Sequence, residues 1–345
     1  MLRRWFVGVV SIGSLVGLVG LSSVPAVAAE LAWDRLSGPT GVETSIAVAN
    51  HAYPGDWNVV YVATNANPVD ALPAATIGDG PVVLAGGKLN LGGKKPGKVV
   101  ILGGTGAVPQ AIEDQAKALV GEGNVTRLWG KNRNLTAQAI ADQWVKVNGS
   151  PKVVYVTKNA GKGSPDAVAA SVLRDGPILT FTDDASAAAL KDVIAKLNPG
   201  KVIALGGVGV VTEANLKAAA GSIATERLAG PNRYETAFEI AKRAKAQNGA
   251  TDVCLASGTA LKDAMVAGAV KNCVILLTPG NAAGVNDKAT ALGAQKIHVI
   301  GGSGVVPENT AKIAAGQQPA IACAVKFRFL PHKRVTLSLP TSFFA

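Results

Sequence analysis

Three arginine-rich stretches are the most chemically distinctive part of this sequence. They read RLSGPTG from Arg35, RLWGKNR from Arg127 and RLAGPNR from Arg227. A guanidinium group donates several hydrogen bonds in a planar fork and therefore suits phosphate or carboxylate groups. A second arginine follows as Arg133 and Arg233, but Gly41 stands there in the first stretch. This loss disfavours catalysis. An anion contact and a structural contact at a domain boundary both remain open.

A Gly-Gly-x-Gly element recurs after a short apolar run in each third of the chain. Its leading pairs are Gly103-Gly104, Gly206-Gly207 and Gly301-Gly302. Backbone N–H groups of glycines between a strand and a helix can bind phosphate. However, the spacing is not that of a dinucleotide-binding motif. A tight turn that requires positive φ is the favoured interpretation, and a polymer contact is the alternative.

An aspartate before an apolar helix also recurs, as Asp70, Asp166 and Asp263. Such an aspartate is typically an N-cap, and we expect that role here. General acid–base chemistry needs a partner group at a fixed distance, and no second acid recurs beside these aspartates. No nucleophile motif with a recurring histidine is present. The sequence therefore predicts a protein that is not an enzyme.

The histidines and cysteines give little support for a metal site. The histidines are isolated from one another in the sequence, and no C-x-x-C pair occurs. We therefore expect neither a metal nor a cofactor. Cys254 and Cys273 are interpreted as two small buried apolar side chains on neighbouring strands, in preference to the disulfide that export would permit.

The elements that position these residues recur in order. The arginine stretches are 92 and 100 residues apart, and they define repeats 35–126, 127–226 and 227–316. Each repeat alternates helices with apolar strands such as KVVILGG, KVIALGG and IHVIGG. Strands that are apolar throughout are typical of parallel sheets covered on both faces. The sequence predicts an α/β protein of three tandem Rossmann-like αβα domains.

Both ends of the chain differ from the repeats. Arg3 and Arg4 precede an apolar run and the small-residue segment SSVPAVAAE, which predicts a signal peptide over 1–28 and an exported protein, in preference to an uncleaved membrane anchor. No later segment is apolar enough to predict a membrane span in the mature chain. The tail 317–345 contains no acidic residue and does not continue the repeat pattern. We expect it to be a disordered terminus or an aberrant one from a shifted reading frame, in preference to an adhesive basic tail. Intact-mass measurement of the secreted protein would test whether it exists.

The net charge is +11, but two of these charges lie in the predicted signal peptide and four in the tail. The repeats thus carry a mild basic excess, which suits adhesion to anionic wall polymers or membrane surfaces. No basic stripe interleaved with aromatic residues predicts nucleic-acid binding.

The three ordered motifs resemble the cell wall-binding repeat type 2 family over nearly all of 35–316. The motifs are R-L-x-G-x-x-R-x-x-T, the D-A-L/V/M helix and a strand ending in G-G-x-G-x-V. The resemblance implies a pseudo-threefold arrangement of three repeats in one chain. It also implies non-covalent anchoring to anionic polymers of the Gram-positive cell wall. Repeat 1 departs from the pattern, because it lacks the second arginine and the aromatic that Tyr234 supplies in repeat 3.

The predicted function is therefore a secreted, monomeric protein of the cell surface that binds an anionic wall polymer, teichoic-acid-like or polysaccharide, through three weak sites. The alternative is a secreted cell-wall hydrolase with an unrecognised active site. A solute-binding lipoprotein is disfavoured because no cysteine stands at the cleavage site. The groups expected to contact the polymer are Arg35, Arg127, Arg133, Arg227, Arg233, Gly103, Gly104, Gly206, Gly207, Gly301 and Gly302.

Overall fold

The computed structural model describes residues 30–159 and 164–317, so the predicted signal peptide and tail lie outside it, apart from Gln317. The strands are β1 Ala32–Leu36, β2 Val59–Thr64, β3 Val82–Ala85, β4 Lys98–Leu102, β5 Val125–Leu128, β6 Val153–Lys158, β7 Ile178–Phe181, β8 Lys201–Leu205, β9 Thr225–Leu228, β10 Asp252–Ser257, β11 Cys273–Thr278 and β12 Lys296–Ile300. The α-helices are α1 Gly41–Ala52, α2 Ala71–Ala75, α3 Gln110–Val120, α4 Arg133–Asn148, α5 Asp184–Leu197, α6 Glu213–Ala220, α7 Arg233–Asn248, α8 Lys262–Ala267, α9 Val285–Ala291 and α10 Glu308–Ala314. Two 3-10 helices span Glu122–Asn124 and Val168–Val172.

The strands form three four-stranded parallel sheets with helices on both faces. The first sheet has the order β3-β2-β4-β5, the second β7-β6-β8-β9 and the third β11-β10-β12-β1. Strands such as β3 and β11 are buried along their whole length, as the unbroken apolar runs predicted. The predicted fold of three αβα units is confirmed.

The sequence repeats and the sheets are offset by one strand. The Arg-Leu pair of each arginine stretch lies in an edge strand, and this strand joins the sheet built by the preceding repeat. Thus β5 pairs with β4, and β9 pairs with β8. The first such strand, β1, pairs with β12 of the last repeat. The Leu31 N–H also donates to the carbonyl of Ala315 at 2.8 Å, so the two ends of the described chain close a ring.

Three short helices pack against one another where the sheets meet: α2, the 3-10 helix Val168–Val172 and α8. Their residues are almost completely buried and belong to one apolar core that runs through all three units. The outer faces of the first and second sheets have separate cores. This arrangement gives the pseudo-threefold axis that the family resemblance implied.

Polar contacts fix each seam between units. At the seam between the first and second units, the Trp144 indole N–H donates to the Thr76 carbonyl at 3.1 Å. Between the second and third units, Arg243 donates to Tyr155 at 2.7 Å and to Asp175 at 2.8 Å. These bonds are partly or fully shielded from water, which makes their loss costly.

The seam that closes the ring contains two histidines. The rings of His51 on α1 and His298 on β12 have centroids 4.6 Å apart. His298 Nδ1 lies 2.7 Å from Asp34, and its Nε2 lies 3.4 Å from Asp252. Lys296 forms an ion pair with Asp34 at 2.7 Å. Strands β1, β10 and β12 thus place charged groups around a buried imidazole.

The cysteines correct one expectation. Cys254 on β10 and Cys273 on β11 are both buried, as predicted, but their sulfurs are joined in a disulfide. The preference for two separate thiols was wrong. Adjacent parallel strands bring the two Cα atoms to 5.9 Å, which lies within the range that a disulfide spans.

No helix among the described residues is long and apolar enough to cross a membrane.

Candidate functional site

The recurring residues meet at the carboxyl ends of the strands. In the first sheet, the chain leaves β2 toward β3 on one side and leaves β4 toward β5 on the other. The gap between the ends of β2 and β4 is therefore a topological switch point, where open α/β sheets bind ligands. The loop after β2 carries Asp70, and the turn after β4 carries Gly103 and Gly104. The second and third sheets repeat this geometry.

The first glycine of each turn needs its missing side chain. Gly103, Gly206 and Gly301 have φ of 96°, 107° and 105°, which confirms the expected positive-φ turn. A Cβ atom on Gly103 would lie 3.0 Å from Asp70 Oδ2, and one on Gly301 would lie 2.5 Å from Asp263 Oδ2. The aspartate and the glycine turn are thus in direct apposition.

This apposition corrects the expected N-cap role of the aspartates. The side chain of Asp70 makes no capping hydrogen bond to α2, and Asp263 lies inside the first turn of α8. Burial raises the pKa of Asp70 to about 6, although the charge of Arg133 opposes this rise. Burial also raises the pKa of Asp166, opposed by Arg233, and that of Asp263, opposed by Lys262. The short helices point these carboxyl groups at the glycine turns rather than at their own backbone.

The first arginine of each stretch holds the neighbouring glycine turn. Arg35, Arg127 and Arg227 each donate to the carbonyl of the first glycine, at 2.7 Å in all three cases. Each also contacts an acid in the first turn of the helix that follows that glycine turn, at 3.5 Å to Glu308 in α10, 2.8 Å to Glu113 in α3 and 2.6 Å to Glu213 in α6. These contacts match the structural role that the sequence left open.

The second arginine lies between units. Arg233 donates to the Gly258 carbonyl at 2.7 Å, which places the start of α7 beside the loop after β10. Its charge also acts on Asp166 of the preceding unit, as that of Arg133 acts on Asp70. Asp263 lacks an equivalent arginine, because Gly41 begins α1 at that position.

Two open cavities adjoin these groups. A groove of about 520 Å³ lies between the first unit and the second arginine stretch, and Asp70, Gly104, Trp129, Lys131 and Arg133 line it. A cavity of about 690 Å³ lies where the three units meet, with Gly41, Asn67, Arg233, Lys262 and Asp263 in its wall. The predicted residues Arg133, Gly103 and Gly104 thus share one groove, whereas Arg35, Arg127 and Arg227 brace the turns.

The cavities contain no ready set of metal ligands. Within 30–159 and 164–317, no group of three or more histidine, cysteine, aspartate or glutamate side chains is placed to hold a metal ion. The cavities instead present arginine and lysine side chains beside the buried carboxyls of Asp70 and Asp263.

Comparison with known families matches the model of cell wall binding domain 2 (CWB2) to residues 35–113, 127–216 and 227–311. The chain belongs to the CWB2 family. The resemblance inferred from the sequence motifs is therefore confirmed, and the three matches begin at Arg35, Arg127 and Arg227. Membership of CWB2 indicates association with the cell wall or cell surface.

Solved structures with the same fold include two proteins of Clostridium difficile. Cwp6 has a TM-score of 0.70 and 21% sequence identity, and the alignment covers 84% of this chain and 48% of Cwp6. Cwp8 has a TM-score of 0.66 and 24% identity, covering 83% of this chain and 52% of Cwp8. At these identities the likeness concerns the CWB2 fold.

Curated relatives match shorter regions. The N-acetylmuramoyl-L-alanine amidase LytC of Bacillus subtilis is 28% identical over 210 residues, which cover 58% of this chain and 39% of LytC. The uncharacterized protein MJ0755 of Methanocaldococcus jannaschii is 36% identical over 122 residues, covering 32% of this chain and 35% of that protein. The chain thus spans between a third and two fifths of the length of these curated relatives.

Sequence reasoning missed two features of the site. It gave the Arg-Leu pair no secondary structure of its own, although this pair lies in edge strands of the preceding sheets, β5 and β9. The segment VTRL is too short for its pattern of half-buried and exposed residues to predict a strand. It also passed over Trp129, although the other two stretches have Ser37 and Ala229 at this position.

Proposed function

We propose that this CWB2 protein is exported and binds the cell wall non-covalently by holding an anionic wall polymer in its three inter-unit sites. The observation that carries the proposal is the triple match to CWB2, together with three switch-point sites held in one continuous core. Each site alone is small and open. Three sites on one polymer chain raise affinity through effective concentration.

The charged groups between the units supply the contacts. Arg133 and Lys131 line the first groove, and Arg233 and Lys262 line the central cavity. These cations suit phosphate or carboxylate groups of a repeating polymer. Arg35, Arg127 and Arg227 contribute indirectly in this scheme, since they hold the turns in place.

A binding role without catalysis is supported by the family and by the chemistry of the sites. CWB2 is described as a binding domain. Asp70 and Asp166 face arginines of the next repeat, whereas a glycoside hydrolase pairs two carboxyls at a fixed distance. We propose that the mature protein is a monomer of three units that works at the cell surface without a cofactor.

The test is sedimentation of the purified protein with cell walls before and after removal of their anionic polymers. We expect binding that disappears with the polymers and falls steeply as salt rises, because exposed charges are screened. Binding that is insensitive to both salt and polymer removal refutes the proposal. Release of soluble wall fragments by the same protein supports the hydrolase instead.

A further inference from the structure

Trp129 is the one tryptophan among the described residues that exposes more than half of its surface. It is 56% exposed, whereas Trp57 and Trp144 are 2% and 3% exposed. Trp33 is half-buried and donates to Gln317 at 3.2 Å. An indole left in water forgoes the free energy that burial gives a large aromatic side chain, so its exposure is informative at a groove.

The indole stands over a polar groove rather than on an open surface. Trp129 follows β5 directly, and its ring lies alongside the backbone of Gly104, where a Cβ atom would be 3.6 Å from the ring. Lys131, Arg133 and Asp70 line the same groove of about 520 Å³. One wall is thus a flat aromatic face, and the others carry two cations and the buried carboxyl of Asp70.

This combination distinguishes the first site from its two sisters. Ser37 and Ala229 occupy the position of Trp129 in the other two stretches. The three sites therefore share the glycine turn and the bracing arginine, but only the first has an aromatic residue at this position of its arginine stretch.

The chemistry that fits both walls is an acidic sugar. A pyranose ring presents a face of C–H groups that packs on an aromatic ring, and its hydroxyls bond to polar neighbours. An acidic substituent on the sugar or its linkage pairs with Lys131 and Arg133. A polyol phosphate or polyphosphate without rings offers the charge but no face for the indole.

We propose that Trp129 is a saccharide platform, so that the first groove binds a pyranose unit of an acidic glycan while the sister sites contribute charge alone. The proposal rests on the proposed function, because it names the substrate class of one of the same sites.

The test compares two soluble polyanions on the mature protein: oligogalacturonate, which has carboxylated pyranose rings, and polyphosphate, which has none. W129A reproduces the alanine of the sister site, and W129F keeps an aromatic face. We expect W129A to weaken oligogalacturonate binding about two- to tenfold, W129F to retain most of it, and both variants to bind polyphosphate like the wild type. Oligogalacturonate, but not polyphosphate, should also change the tryptophan fluorescence of the wild type.

Equal loss of both polyanions, no change in W129A, or no wild-type binding of oligogalacturonate overturns the platform. Urea unfolding of W129A checks that the fold is intact, and we expect no loss of stability because the ring is exposed. Failure of the wild type to sediment with walls refutes the proposed function, while the oligogalacturonate titration judges Trp129 separately.

Discussion

The Arg127→Met variant tests whether the first arginine of each stretch contacts the polymer or the protein itself. Methionine keeps a side chain of similar reach, so the packing of the arginine stem is largely preserved. The substitution removes hydrogen bonds to the carbonyls of Gly103 at 2.7 Å and Val108 at 3.0 Å, and the ion pair with Glu113 at 2.8 Å. The side chains of Arg127 and Glu113 are only 11% and 15% exposed.

The expected loss of stability follows from these contacts. Breaking a buried ion pair costs about 3–5 kcal/mol, and each hydrogen bond to a charged group contributes about 1.5–3 kcal/mol. Two features reduce the total. Glu113 keeps Lys117 at 3.1 Å, and methionine removes Arg127 Nη2, which is buried without a hydrogen-bond partner in the described structure. We expect the free energy of unfolding to fall by about 3 kcal/mol.

The two sister arginines provide matched controls with weaker contacts. Arg227 bonds one glycine carbonyl and Glu213, whose side chain is 61% exposed. Arg35 bonds one carbonyl and lies 3.5 Å from Glu308, which is 56% exposed. Exposed ion pairs contribute at most about 1 kcal/mol, so R227M and R35M should cost about 1–2 kcal/mol each.

Urea unfolding followed by circular dichroism measures all three variants, and wall sedimentation is run in parallel. We expect R127M to have the lowest urea midpoint, and each variant to bind walls in proportion to its folded fraction. A fully stable R127M that has lost wall binding contradicts the bracing role and makes these arginines polymer ligands.

Three further predictions concern the site and the ring-closing seam. R133M and R233M should each weaken wall binding about five- to thirtyfold, which corresponds to about 1–2 kcal/mol. Their urea midpoints should shift less than that of R127M. Sedimentation titrations that show unchanged affinity would exclude these residues from the polymer contact. G301A should destabilise the fold by about 1–3 kcal/mol, because the φ of Gly301 is 105° and the new Cβ would lie 2.5 Å from Asp263 Oδ2. G302A is the control: the space around its Cβ position is open, so this variant should unfold like the wild type. Thermal unfolding of the wild type and H51Q between pH 7.5 and 5 should show the wild type losing stability relative to H51Q as pH falls: desolvation and the nearby charge of His298 hold the pKa of His51 below 6.5, so the unfolded wild-type chain binds more protons in the window below that value. The raised pKa values of Asp70, Asp166 and Asp263 act in the opposite direction in this window, and they are common to both proteins. The same histidine pair is surrounded by Asp34, Asp252 and Lys296. Burial raises the pKa of Asp34, but its bonds to Lys296 and His298 lower it overall, so the stability that Asp34 contributes is lost only below about pH 3.8. An H51Q variant with the same pH dependence as the wild type would contradict the assignment to His51.

The fold was accessible from the sequence because its signals are local and repeated three times. Continuous apolar runs identified strands such as β4, β8 and β12, and the Gly-Gly-x-Gly elements marked the turns that follow them. Because each weak signal recurs three times in the same order, a chance origin is implausible. The confirmed parallel sheets follow from this pattern.

The details that the sequence did not predict depend on contacts between repeats. An aspartate before a helix looks like an N-cap, and only the fold brings Asp70 against the turn at Gly103. Likewise, the spacing of Cys254 and Cys273 does not fix how far apart neighbouring strands hold them. The roles of Arg127 and Arg133 differ because one lies in an edge strand and the other begins a helix. Such differences arise only when the chain is folded.

The pairing of β1 with β12 makes the third unit dependent on the earliest-synthesised part of the described chain. Ala32 lies opposite Lys296, so β1 is synthesised long before its partner strand β12. Joining such distant segments is entropically costly and slow, whereas β5 and β9 follow the sheets they complete after a single helix and a short connection. The ring also limits the number of copies: with β1 on β12, the third sheet has no free edge there for the leading strand of a fourth repeat. In this ring of three repeats, every leading strand is therefore paired.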